Sequence, residues 1–331
     1  MQKKIIDAIL CQFSKKSEVI ESISNLLGVG KDGVYRRMRG DSHFTPDEIV
    51  ILAKKFNISI DSFIWGDAKS VTFSFNDFSR HVTTYEDYIT EIYMDTHKMS
   101  RIPNVKVYYA SSEIPFFYYC LFPELISFKL YNFGYTIWEM EYTKNLKFSF
   151  ELIPSKVLDI ANEVSRNYNS MPSLELWNIN ILDNTIAQID YHFSIGSFEN
   201  NNDALRLCDI LQQWVDHMKL MAEHGYKLNP KLGEKFPGAS FELYHNEMVH
   251  TNNTIYVETP GIKMVFSTLA NPNFIRTVDE RMAKYIKDWF DKVLEKSNNI
   301  SIQNSKSREA FFNKLNQKVL NIKNKIQSNI S

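Results

Sequence analysis

Between Ser24 and Gly40 the sequence SNLLGVGKDGVYRRMRG leaves few folds open. An apolar helical stretch is halted by Gly28, a residue type that tolerates the left-handed conformation closing a helix. Val29 is left to pack between helices, and Gly30 is placed to cap the next one. Lys31 to Arg39 then resumes the helical period. Val34 and Met38 fall on one side; Lys31, Asp32, Tyr35, Arg36 and Arg39 fall largely on the other. Lys31, Arg36, Arg37 and Arg39 against Asp32 give this segment a charge of +3, while the whole chain carries only −1. Its basic character is therefore local, and it sits on one short helix.

The flanking segments supply partners for that pair. Ile5, Ile6, Ile9, Leu10 and Phe13 mark the apolar face of a preceding helix. Ser17 is the expected N-cap of the next, with Ile20, Ile23, Leu26 and Leu27 turned inward. After Gly40, the run FTPDE places Thr45 as N-cap, Pro46 at the first helical position and Glu48 three residues beyond the cap. That spacing is a capping box, with proline where no N–H is needed. Ile49, Leu52, Ala53 and Phe56 continue as a helix, and Ile60 to Ile64 reads as a fifth, stopping before Gly66. Residues 1–66 are thus expected to form an all-α domain of five helices.

This segment resembles the lambda-repressor-like (Cro/CI, XRE-type) helix-turn-helix family. Ser24 stands at the family's small-residue site, Gly28 at its turn glycine, Val29 at the buried turn residue and Val34 at the apolar anchor of the recognition helix. Two features depart from the pattern: Gly30 and Gly33 occupy the start of the recognition helix, where the family often has Ser or Thr. The resemblance covers residues 1–66, a fifth of the chain. It implies a sequence-specific DNA-binding transcriptional regulator that places residues 31–39 in a major groove. Lys31, Asp32, Tyr35 and Arg36 are then the base-contact candidates, and Ser17, Arg37 and Arg39 the phosphate-contact candidates. A major groove suits them, because arginine pairs with guanine edges and apolar groups meet thymine methyls. The implied partners are double-stranded DNA, a second copy of the chain, and an unidentified small-molecule or protein effector.

Two other readings compete. The front helices could instead dock a protein, as in an antitoxin or a phage-encoded control factor, or tether an enzyme to DNA. Gly28, Gly30 and Gly33 also fit GxGxxG, but a dinucleotide site needs a strand before it and an acid about twenty residues later. Here ESISNLL reads as helix and position 53 is alanine.

Beyond a short linker at 67–70, residues 71–295 read as a larger mixed α+β domain for sensing or dimerisation, with a possible division near 230. VTFSF (71–75) and VKVYYA (105–110) alternate like strands. Helices are expected near 85–93, after Pro123, at 155–168, at 181–193, and from Ala204 to Met221. SFELYHNEMVH, TIYVETP and IKMVFSTL, separated by turn residues, read as an antiparallel meander. A helix containing Met282, Ile286 and Trp289 follows. Residues 296–331 form a polar, basic helical tail. In it Phe312, Leu315, Val319, Ile322 and Ile326 make a short heptad seam, able to pair with its copy or to lie on its own domain. The overall expectation is α+β.

The chemistry of the remainder points to no reaction. Cys11, Cys120 and Cys208 are far apart, with no CxxC, which suits reduced thiols in a cytoplasm. The greasiest stretch, 114–126, is shorter than the ~20 residues a membrane span needs. No HExxH, GxxxxGK or GxSxG occurs, and His217 and His224 are the only pair spaced to share a helix face beside Met221. The expectation is a non-enzymatic protein without metal or cofactor. The Tyr, Phe and Trp residues between 108 and 138 are expected to form core, with a ligand pocket as the alternative.

Overall fold

The computed structural model describes residues 2–13, 15–56, 58, 60, 70–75, 82–138, 140, 146–230, 233–248, 252–270 and 272–330. Four front helices, α1 (Gln2–Leu10), α2 (Lys16–Leu27), α3 (Lys31–Arg39) and α4 (Pro46–Phe56), close around a core of their own. Ile5, Ile9, Val19, Ile23, Val34 and Leu52 are all fully buried in it. The expected fifth helix at 60–64 and most of the 67–70 linker lie outside the described residues.

The rest is α+β. Its strands are β1 (Ser74–Phe75), β2 (Lys106–Ser111), β3 (Ser173–Trp177), β4 (Tyr226–Leu228), β5 (Lys235–His245), β6 (Thr254–Glu258), β7 (Lys263–Ala270), β8 (Asn273–Thr277) and β9 (Asn298–Asn299). They form one mixed sheet in the order β1-β8-β7-β6-β2-β3-β5-β4, with β9 also on β5. β2, β3 and β5 run parallel; the other pairings are antiparallel. Parallel neighbours need crossovers, and helices supply them. Between β2 and β3 lie α6 (Phe116–Tyr119), α7 (Pro123–Thr136) and α8 (Ser155–Asn169); between β3 and β5 lie α9 (Asp183–Ser194) and α10 (Asn202–His224). α5 (Tyr85–Ser100) precedes β2, and α11 (Glu280–Leu294) and α12 (Ser305–Ile330) follow the sheet.

Alternation along β2 sets the layers. Val107 and Tyr109 face the helices, while Tyr108 and Ala110 face α11 on the opposite side with Leu174, Leu176, Tyr256 and Phe290. The strand expected at 71–75 is confined to Ser74 and Phe75. The meander is smaller than the spacing suggested. β6, β7 and β8 pair consecutively, but β5 lies beside β3, two strands away from β6. One sheet thus takes strands from both sides of residue 230, so the domain is not divided there. The tail is part of the same body. Phe312, Leu315, Val319, Ile322 and Ile326 are buried in the main core, and α12 runs along α10. The heptad seam is satisfied within the chain.

β3 is the strand that pattern reading passes over, and it holds a buried polar cluster. Glu175 is fully buried there. Tyr118 Oη donates to its Oε1 at 2.5 Å, Tyr168 Oη at 2.7 Å and Ser173 Oγ at 3.0 Å; Trp177 Nε1 donates to its Oε2 at 3.1 Å. Four donors around one carboxylate make its burial tolerable. Lys227 of β4 is equally buried, donating to the Tyr168 carbonyl at 3.1 Å and lying 3.7 Å above that ring's centre. Burial lowers its ammonium to a pKa of about 7, against an upward pull from Glu175.

Candidate nucleic-acid interface

The turn between α2 and α3 is built as the sequence demands. Gly28 adopts φ 64°, ψ 25°, and Val29 N–H donates to the Ser24 carbonyl at 3.2 Å. The Ser24 hydroxyl donates in turn to the Val29 carbonyl at 2.6 Å, so this small side chain holds both ends of the link. Gly40 closes α3 at φ 88°. The capping box forms: Thr45 N–H donates to Glu48 Oε2 at 2.8 Å, and Glu48 N–H to Thr45 Oγ1 at 3.2 Å. The GxGxxG stretch sits between two helices, with no strand before it, so the dinucleotide context is missing.

The outer face of α3 carries the side chains expected there. Lys31, Asp32, Tyr35, Arg36 and Arg39 are all exposed, and Val34 is buried beneath them. Arg36 makes no ion pair among the described residues. Lys31 lies 3.7 Å from Glu21, and Arg39 3.1 Å from Asp41, both pairs being well exposed. Exposed pairs of this kind contribute ~0–1 kcal/mol, so either cation can be exchanged onto another anion cheaply.

Arg37 differs from the expectation. Its side chain is 18% exposed and turned toward α4, where Nη2 meets Glu48 Oε1 at 2.9 Å. Its guanidinium also lies 5.5 Å from the centre of the Phe44 ring. The Glu48 carboxylate therefore serves the capping box with one oxygen and Arg37 with the other. Arg37 braces α3 against α4 and is corrected from phosphate contact to internal support. Gln2 adds to the brace by donating to the Arg37 and Ser42 carbonyls, both at 2.9 Å. Ser17 is exposed within the first turn of α2, but it is not the cap: Lys15 holds that position, without a side-chain cap bond. Exposed Lys15 and Lys16 at that helix start were missed; the signal was the KKS run at 15–17.

The surroundings of Gly33 leave room for a side chain. A Cβ there would meet Arg37 Nη1 at 3.4 Å and Val29 Cβ at 4.0 Å, so the vacant side faces the brace rather than the outer surface. Both contacts are ordinary ones. Gly33→Ala is accordingly expected to stabilise the front helices by ~1 kcal/mol, the difference in helix propensity. Urea denaturation followed by circular dichroism at 222 nm would show it; a lower midpoint would mean that Arg37 cannot make room.

Elsewhere, the histidine pair is separated. His217 is buried against Phe122, with its pKa lowered by burial to about 4, whereas His224 is exposed near the end of α10. The aromatic residues between 108 and 138 are mainly core, with Tyr109, Tyr118, Tyr119, Phe128 and Tyr131 almost completely buried. Among the described residues, no helix is long and apolar enough to cross a membrane, and no His, Cys, Asp and Glu side chains are grouped to hold a metal ion. Compared with known proteins, the chain matches no family model, no curated protein and no solved structure.

Proposed function

We propose that the chain is a sequence-specific DNA-binding transcriptional regulator of the cytoplasm, acting as a homodimer. The observation that carries this is the outer face of α3. Lys31, Asp32, Tyr35, Arg36 and Arg39 stand exposed on one helix, which is held by a left-handed glycine turn on one side and the Arg37–Glu48 brace on the other. A rigid helix with a mixed basic and aromatic face is what reading a major groove requires. Lys31, Asp32, Tyr35 and Arg36 take the base edges; Arg39 and Ser17 take phosphates, and a second copy reads a second half-site about 34 Å away. The large α+β domain serves dimerisation or effector sensing.

The test is binding to a selected site and to random duplex, measured by fluorescence anisotropy across a salt series. Arg36→Ala is expected to weaken binding to the selected site by ~1–3 kcal/mol and to leave random-duplex binding nearly unchanged. An equal loss on both would assign Arg36 to the backbone. Affinity indifferent to salt would remove the reading altogether, since phosphate contacts release counterions. It would favour a protein-docking role for the same helices.

A further inference from the structure

The outer side of α4 departs from what a solvent-facing helix surface carries. Ile49, Leu52, Ala53 and Phe56 turn inward to the front core. Asp47, Val50, Ile51 and Lys54 follow on the opposite side, at the spacing of a single helix face. A face that meets only water is polar. Here its middle is two branched aliphatics, Val50 at 43% and Ile51 at 42% exposed. Asp47 and Lys54 stand exposed at its two ends, and neither makes an ion pair among the described residues.

The order of these four side chains is self-complementary. A second α4 can be laid antiparallel across the first, about a twofold axis passing between residues 50 and 51. Val50 then meets Ile51 of the second copy, and Asp47 meets Lys54, each contact occurring twice. The apolar centre is covered and both charges are neutralised. Asp47 in the first turn of one helix also lies beside the last turn of the other, which the two helix dipoles favour. Within one chain this relief is closed, because seven residues of helix hold Asp47 and Lys54 about 10.5 Å apart along the axis. We propose that the Asp47–Val50–Ile51–Lys54 face of α4 docks against the same face of a second copy of this chain. Four side chains from each copy bury less than the ~1,000 Å² of a stable interface, so the pairing is weak and works on copies already held close together. Its role, setting two copies of α3 on neighbouring half-sites, rests on the regulator reading; the pairing itself does not.

A carbodiimide joins a carboxylate to an amine with no spacer and so captures groups in contact. It should be applied to the full-length protein at near-millimolar concentration, as an equal mixture of isotope-labelled and unlabelled chains. Mass spectrometry is expected to find an Asp47–Lys54 amide, with half of it joining a labelled chain to an unlabelled one. Val50→Ser combined with Ile51→Ser keeps both charges and the front core, and is expected to lower the yield at least about fivefold. Asp47→Lys and Lys54→Asp each oppose like charges in a pair of identical chains. Mixed together, the two variants are expected to cross-link between positions 47 and 54 to within about twofold of wild type. All four positions are exposed, and circular dichroism checks that the variants keep their helices. No amide between chains, a yield unchanged by the two serines, or a mixture of folded variants that stays unlinked would each overturn the proposal. Binding to a duplex with two half-sites separates the two claims. An amide without cooperative binding refutes only the alignment role, and loss of DNA binding altogether refutes the regulator reading while the amide stands.

Discussion

Glu175→Ala is expected to cost the large domain at least ~4 kcal/mol, enough to leave much of it unfolded at 37 °C. The substitution leaves the hydroxyls of Tyr118, Tyr168 and Ser173 and the indole N–H of Trp177 without their common acceptor. Each buried donor stripped of its partner costs ~1–3 kcal/mol. Glu175→Gln should fall between the two: one oxygen still serves the three hydroxyls, but an amide N–H then faces the Trp177 N–H. Urea unfolding followed by tryptophan fluorescence would read both variants. Trp177 stacks on Trp214 with ring centres 5.6 Å apart, so the probe sits at the site. A loss below ~1 kcal/mol for the alanine variant would show that the four donors find other acceptors.

Lys227→Met is expected to act in the opposite direction. Burial lowers the folded-state pKa of Lys227 from 10.5 to about 7, so at neutral pH the native protein gives up much of a proton that the unfolded chain keeps. For a depressed pKa, the stability is present above the unfolded value and is lost as pH falls toward the folded value. Wild-type stability should therefore rise between pH 7 and about 10, and be flat in this respect below 7. Near neutrality the penalty is on the order of 4 kcal/mol. Methionine fills similar space without a charge, so the variant should be several kcal/mol more stable at pH 7, less the lost bond to the Tyr168 carbonyl and the contact with its ring. Its stability should also lose the rise between pH 7 and 10. Above about pH 10 both proteins should weaken. Burial raises the phenols of Tyr118 and Tyr168, and the unfolded chain then releases protons that the native state retains. A variant less stable than wild type across this range would mean that the ammonium is held charged by its aromatic and anionic neighbours.

Local chemistry was legible in the sequence; partners distant in the chain were not. The Thr45–Pro46–Glu48 cap and the Gly28 and Gly40 stops depend on three or four neighbouring residues, and all form. Arg37 looked like Arg36 and Arg39 because the carboxylate that turns it inward lies eleven residues away. Gly33 stood out only as a departure from the helix-turn-helix pattern, because nothing local shows which side its missing Cβ faces. SLELW (173–177) escaped notice because Glu175 at its centre argues against a core strand. Only the fold brings Tyr118 and Tyr168 to that carboxylate. SFELYHNEMVH, TIYVETP and IKMVFSTL had the alternation of three consecutive neighbours, yet β5 pairs with β3, because β2 takes the place beside β6. The seam from Phe312 to Ile326 was real, but an apolar stripe has the same spacing whether its mate is another copy or α10.

The strand order has a consequence for how the chain is made. β2 is hydrogen-bonded along one side to β6, so Val107 waits for Val257. The front helices, with their separate core, can settle while the ribosome is still adding later residues. The sheet stays open along β2 until some 150 further residues have emerged, and such long loop closures are slow. During that interval the bare edge of β2 is open to pairing with another chain.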